Sequence, residues 1–458
     1  MQLIKITGPI NQDKLDFEEY PFIPAEEYLS RISKLMQMAN DDGFTAVIVY
    51  GDREHFSNVC YLTGYDPRFE ETLLVLKTGS TPKLVVGLEG EDYSKISPVE
   101  IDRHLYSGFG LQGQPQTDID ITNILMECGL DQNDKAGLIG WKEYQRVGSN
   151  ILFTDIPHYL VEAIAAITGR ENIKNVTWYM NDSKCGLRTV LSVNEIVQAE
   201  YINAYASRQV YGAISGLREG MSETDASAIF RINGLPMSTY PSMSFGEKNV
   251  SLGLASAMPD TVLRAGDIAS VGLGYRHAMI HRSTFFVSSE EEFLRVIGKE
   301  RLDFYKTYFK MITAWYESIA IGKEGGKVYE AIEEYIEPMG VKLNAGHMIH
   351  TEEWMNSLFY KGSSCEIKSG MAIQCDVIAS STLPFAGAHV EDGIVIADEA
   401  LRSDIKKAAP RCYERIQRRR KFMTDTLNIK IADEVLPLSD IQGMLFVFMA
   451  DSKTILTN

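Results

Sequence analysis

The chain has 458 residues, with 45 Lys and Arg against 62 Asp and Glu and a formal net charge of −17. A composition of 45% hydrophobic and 23% charged residues is that of a globular protein, so extensive disorder and fibrous classes are excluded, and the length asks for more than one domain. A carboxylate-rich surface repels phosphate backbones and anionic headgroups, so neither nucleic acid nor a membrane is expected as a partner.

The amino terminus, Met1 to Pro9, lacks the uninterrupted apolar core of a signal peptide. Six scattered Cys, with no CxxC and no Cys/His metal spacing, read as reduced thiols, and the expected location is the cytoplasm. From about Ala25 to Trp178 short apolar runs alternate with amphipathic stretches, the pattern of an α/β domain. Strands are predicted at Ala46–Tyr50, Leu73–Leu76 and Lys83–Val86. The piece Gly108 to Gly113 fits a GxGxxG phosphate cradle only loosely and reads as a plain loop, since it follows no clear strand and opens no helix.

Around Asn181 to Ser192 the chain turns polar, which marks a domain boundary. A long amphipathic helix follows, with Val197, Tyr201, Ala204 and Tyr211 on one face. It is expected to stop near Gly220, with Ser222 and Asp225 capping the next helix. Arg218-Glu219-Gly220 followed by Asp225-Ala226 recurs as Lys323-Glu324-Gly325 followed by Glu330-Ala331, each after a long helix. The echo suggests two similar halves with a site between their sheets. The basic run Arg418-Arg419-Arg420-Lys421, with Arg411 and Arg415, is expected on a solvated or subunit-facing helix. The segment Glu434 to Thr457 is too apolar for a free tail and is expected to add a strand or cover an interface. Its longest apolar run, Met444 to Ala450, is far shorter than the ~20 residues of a membrane span.

Five of the eight His (His277, His281, His347, His350 and His389) fall between residues 277 and 389. Any one of them could be a satisfied structural imidazole, but their joint placement on strand-like segments points to a site. Strand alternation puts Asp376 on a face with Gln374 and opposite Cys375. It puts His389 with Glu391, opposite Val390 and Asp392, and His281 with Met279 and His277. Carboxylates beside imidazoles can ligate a metal, relay protons or hold a cationic substrate, and spacing alone does not choose among these.

These residues resemble the pita-bread superfamily of creatinase, aminopeptidase P, prolidase and methionine aminopeptidase. Arg31 to Leu88, with Tyr61-Leu62-Thr63-Gly64-Tyr65, resembles the amino-terminal domain of creatinase and aminopeptidase P. Asn194-Glu195-Ile196, Leu217 to Glu223, Leu263 to Asp267, Gly346-His347, Ser369-Gly370-Met371 and Val390-Glu391-Asp392 fall in the family's order. The resemblance implies an α/β amino-terminal domain over residues 1–180, an α+β pita-bread catalytic-type domain over 181–425 and a carboxy-terminal extension over 426–458. It also implies a homodimer.

The metallopeptidase members hold two ions with two Asp, one His and two Glu. Carried over by position, the first Asp falls on Gly272 and the second on Met279; the His matches His347, the first Glu becomes Asp376 and the second matches Glu391. The creatinase catalytic His falls on Ala255, and a creatinase Glu on His281. Neither catalytic set is intact, so no conventional dinuclear centre is expected and the cofactor is left unassigned. The implied function is a creatinase- or Xaa-Pro aminopeptidase-like hydrolase acting on a C–N bond of a small molecule or peptide. His347 or His281 would be the acid/base, Asp376 and Glu391 would bind a cationic or N–H group, and His350 and His389 would contact substrate. Two alternatives stand: a mononuclear metal hydrolase using His347, Asp376 and Glu391, perhaps with His281, and an inactive module that binds peptides or proteins.

Overall fold

Apolar runs rich in Val, Ile and Leu become central strands because β-branched side chains pack well on a pleated surface buried on both faces. The computed structural model describes residues 1–117, 120–144, 152–339, 345–378 and 387–458. Its strands, in chain order, are β1 (Gln2–Lys5), β2 (Ala46–Gly51), β3 (Thr72–Lys77), β4 (Lys83–Val86), β5 (Asp102–Leu105), β6 (Ala136–Ile139), β7 (Ile173–Asn175), β8 (Ser242–Phe245), β9 (Ile268–Tyr275), β10 (Ala278–Phe285), β11 (His347–Met348), β12 (Ala372–Asp376), β13 (His389–Ile396), β14 (Val435–Pro437) and β15 (Thr454–Thr457).

The chain forms two compact units, one of Phe22–Thr189 and one of Met1–Pro21 with Val190–Asn458. The first is an α/β unit around a six-stranded sheet in the order β5-β4-β3-β2-β6-β7. Its central strand β2 is buried along its whole length and pairs antiparallel with β3 and parallel with β6. The loop holding Gly108 to Gly113 begins as a single 3-10 turn at Ser107–Phe109 and opens no α-helix, as its sequence suggested, but contrary to that reading it does follow a strand, β5.

The second unit is built on an antiparallel sheet in the order β11-β12-β13-β10-β9-β8, with β14 added against β13. The helices Val193–Gly216 and Lys299–Ser318 contribute to its core. The first starts at a capping box in which Ser192 Oγ accepts from the Glu195 backbone N–H and Glu195 accepts from the Ser192 backbone N–H. It ends at Gly216, a turn earlier than the sequence suggested, and Ser222 then caps the short helix Glu223–Ser227. The echo has a structural counterpart. Each long helix leads into a second helix through a turn that makes an isolated antiparallel bridge, Ser222 to Val262 in one case and Glu324 to Glu366 in the other.

The basic run is solvated on one face only: Arg411, Arg418 and Lys421 are exposed, and the other face is buried. On the helix Pro410–Asp425, Arg419 is fully buried against Glu200 and Asp440, each at 2.7 Å, and Arg415 reaches Glu200 and Glu19, each at 2.6 Å. Carboxylates delivered by three separate segments neutralise the guanidinium groups, which is the condition for burying them. The apolar stretch Met444–Met449 lies in the core, while β14 and β15 join β13 and β1.

Candidate active site

The inner strands of the antiparallel sheet place their functional groups by register. Glu391 on β13 pairs with Asp376 on β12 at one side and with His281 on β10 at the other, and His281 in turn pairs with Gly272 on β9. Directly opposed side chains on one face of an antiparallel sheet are neighbours, so a row across four strands brings these groups together. The opposite face holds the residues that alternation assigned to it. Asp392 is ion-paired to Arg282 at 2.7 Å, and Cys375 lies in the core with its thiol pushed up by burial and by the Asp392 charge.

Within the row, His389 Nε2 lies 2.7 Å from Asp376 Oδ1 and 3.9 Å from Glu391 Oε2. The His389 and His281 rings are 4.3 Å apart, and His281 Nε2 is hydrogen-bonded to Ser270 Oγ at 2.9 Å. His347 enters from the edge strand β11. Its Nε2 is 3.7 Å from Asp376 Oδ2, 3.9 Å from Glu391 Oε1 and 3.3 Å from Glu353 Oε1. The Trp354 indole stacks on the His347 ring, centroids 4.3 Å apart at 21°.

Five of the residues singled out in the sequence, His281, His347, Asp376, His389 and Glu391, thus form one cluster. His350, expected as a substrate contact, sits instead with Glu195 at 3.2 Å and with the His277 ring at 5.2 Å. Ser270, Glu353 and Trp354 join the cluster without having been singled out. Ser270 shares strand parity with Gly272, which could have revealed it. The loop holding Glu353 and Trp354 has no periodicity to sort its side chains.

The two positions at which the family resemblance calls for Asp have been rebuilt. A β-carbon on Gly272 would stand 2.4 Å from His281 Cδ2, so glycine is what allows the imidazole its place. Met279 lies near Thr239, its Sδ 3.9 Å from the hydroxyl, and its carbonyl accepts from Gln374 Nε2 at 2.7 Å.

Burial and neighbouring charge polarise the cluster. For His281, burial, followed by the charges of His389 and Arg282, holds the imidazole well below its usual range, so it is neutral. Burial, with Asp376 and Glu353 nearby, pushes Glu391 well above the carboxylate range. Burial opposes charge on Asp376 as well, but the His389 hydrogen bond and the positive charges of His389 and His347 outweigh it and hold Asp376 low. In His347 the burial penalty is outweighed by Glu353 and Asp376, and its pKa rises.

Residues 196–398 match the model of metallopeptidase family M24. The matched region and the fold are similar to those of the pita-bread superfamily. Its fold is similar to that of the prolidase from Pyrococcus horikoshii OT3, at 18% identity and a TM-score of 0.62, covering 80% of this chain and 95% of that one. The recombinant prolidase from Thermococcus sibiricus gives 16% identity and a TM-score of 0.63, covering 81% and 95%. The X-Pro aminopeptidase from Thermotoga maritima MSB8 gives 15% and 0.59, covering 80% and 95%. No curated protein matches the sequence. The family match supports a hydrolase acting on peptide C–N bonds. Among the described residues no helix is long and apolar enough to cross a membrane.

Proposed function

We propose that the protein hydrolyses a C–N bond of a small molecule or peptide in this cleft, without the pair of ions held by the metallopeptidase members. The observation that carries this reading is the exchange at the two strand positions. Gly272 and Met279 stand where aspartates would supply ligands, the space at 272 is filled by the His281 ring, and His347, Asp376 and Glu391 are kept. Neither a glycine nor a thioether offers a hard anionic oxygen, so two adjacent divalent ions do not fit this donor set. One ion does fit. His347 Nε2 and Glu391 Oε1 are buried 3.9 Å apart and, among the described residues, have no hydrogen-bond partner. Such an ion, when bound, supplies polarisation of a carbonyl and a more acidic water.

The chain's own residues account for the other tasks. Asp376, fixed by His389, is an acceptor for an N–H or a cationic group of the substrate. His281 has its Nε2 engaged by Ser270 and its Nδ1 without a partner among the described residues. It is the imidazole suited to take a proton from the attacking water and return it to the departing nitrogen, so that one amine and one acid result. Trp354 walls the cleft beside His347.

The test is a panel of dipeptides, amides and amidines assayed with the full chain and with Glu391→Ala and His281→Ala. Turnover that falls by about 10²-fold or more in both variants supports the reading. Normally folded variants with full turnover overturn it, and binding of a basic peptide with no turnover anywhere on the panel replaces it with an inactive peptide-binding module. The same reading places the chain in the cytoplasm as a homodimer; sedimentation as a monomer at micromolar concentration would remove the pairing.

A further inference from the structure

We infer that the cleft binds a single divalent transition ion through His347 Nε2, Glu353 and Glu391, with Glu353, from the loop after β11, standing in for the carboxylates lost from β9 and β10. The inference rests on reading this cleft as the working site and adds to it a ligand that the strands do not supply.

Four observations converge. The donor atoms of His347, Glu353 and Glu391 all lie within 4.8 Å of one another. Two ligands each about 2.1 Å from one ion can be at most about 4.2 Å apart, and the His347 separations to Glu353 and Glu391, 3.3 and 3.9 Å, fall inside that bound. His347 Nδ1 lies 3.2 Å from the Met348 carbonyl, the hydrogen bond that puts the ring proton on Nδ1 and leaves the Nε2 lone pair for a ligand. His347 Nε2 and Glu391 Oε1 are also fully buried and, among the described residues, unpartnered, a costly arrangement unless something positive joins them.

A second triad, Asp376, His389 and Glu391, shares Glu391 with the first. It is the weaker candidate, because His389 Nε2 and Asp376 Oδ1 already satisfy each other at 2.7 Å. In the preferred arrangement that pair orients Asp376, whose Oδ2 flanks His347 Nε2 at 3.7 Å. The Glu353 side chain is 30% exposed, so an ion can reach the site from solvent on that side. One imidazole with two carboxylates is a borderline donor set that suits zinc, manganese, iron or cobalt better than magnesium or calcium.

The experiment titrates metal-free full-length protein with Co²⁺ and with Zn²⁺, counts bound ion by elemental analysis after dialysis, and follows the visible absorption of bound cobalt. About one equivalent is expected. Glu353→Gln should weaken binding by about tenfold or more, a loss on the scale seen when a supporting group of a metal site is removed. Glu353→Asp should retain binding with a shifted cobalt spectrum, and Glu352→Gln should bind as the parent does. Circular dichroism checks that each variant is folded, and the parent stoichiometry is decisive even if one is not. No ion gained, two ions bound, or a folded Glu353→Gln that binds like the parent overturns the inference. One Glu353-dependent ion with no turnover on the substrate panel leaves this site standing and removes the hydrolase reading; turnover with no ion gained does the reverse.

Discussion

Gly272 and His281 face each other across β9 and β10, and the imidazole of one occupies the room a side chain on the other would need, with a β-carbon at 272 only 2.4 Å from His281 Cδ2. Glycine at 272 and the imidazole at 281 are therefore sterically interdependent. Gly272→Ala should cost about 1–3 kcal/mol, the scale of overpacking a core. His281→Ala in the same chain should recover most of that cost. Urea denaturation of the two single variants and the double variant measures the coupling, and simple additivity would mean that the two positions do not compete for space.

Arg282 holds the cleft from behind. It pairs with Asp392 at 2.7 Å and donates to the carbonyls of His281, Glu391, Ile441 and Met444, so the backbone beneath two site residues hangs on one guanidinium. Arg282→Met should destabilise the chain by roughly 3–5 kcal/mol because Asp392 is left buried without its cation. Replacing Asp392 by Leu as well should recover much of the loss. Equal melting of the parent and Arg282→Met would contradict this.

His350 and Glu195 form a buried pair at 3.2 Å, and the same Glu195 closes the capping box of the helix Val193–Gly216. His350→Ala should lower stability by about 1–3 kcal/mol, the cost of leaving a buried polar group unsatisfied. It should leave the number of ions bound in the cleft unchanged. Thermal melting and elemental analysis of the variant check both halves.

In the unit of Phe22–Thr189, Asp52 and His55 form a pair at 3.0 Å. Although burial opposes it, the His55 and Glu54 contacts lower Asp52 to about 2, and the Asp52 hydrogen bond raises His55 above its usual 6.5. The depressed carboxylate contributes stability above its unfolded value near 4 that is lost as pH falls through about 2. The raised imidazole contributes fully below its unfolded value of 6.5 and loses its contribution as pH rises through its folded one. The destabilisation caused by His55→Ala should therefore be largest between about pH 4 and 6.5 and smaller at pH 9, with a magnitude of about 1 kcal/mol or less because both groups are partly exposed. Denaturation of parent and variant across that range tests it, and a difference that grows toward pH 9 would contradict it.

Period-2 alternation was enough to set Asp376 opposite Cys375 and Glu391 opposite Asp392, and the regular pairing of β12 with β13 then puts Asp376 and Glu391 on one face. The strand at Ala46 was legible from its β-branched run, and the helix after Ser192 from its apolar spacing and cap. Glu353 and Trp354 were not legible, since they reach His347 from an irregular loop in which no periodicity assigns a direction. The burial of Arg415 and Arg419 was missed for a related reason. Their partners Glu200, Glu19 and Asp440 come from distant segments, and a local run of cations gives no sign of them.

If the cleft works without the two-ion centre of the metallopeptidase members, the number of ions that the full chain retains shows it. Protein saturated with Zn²⁺ or Mn²⁺, dialysed against metal-free buffer and analysed for its elements, should hold no more than one ion per chain. Two tightly held ions per chain would contradict the account.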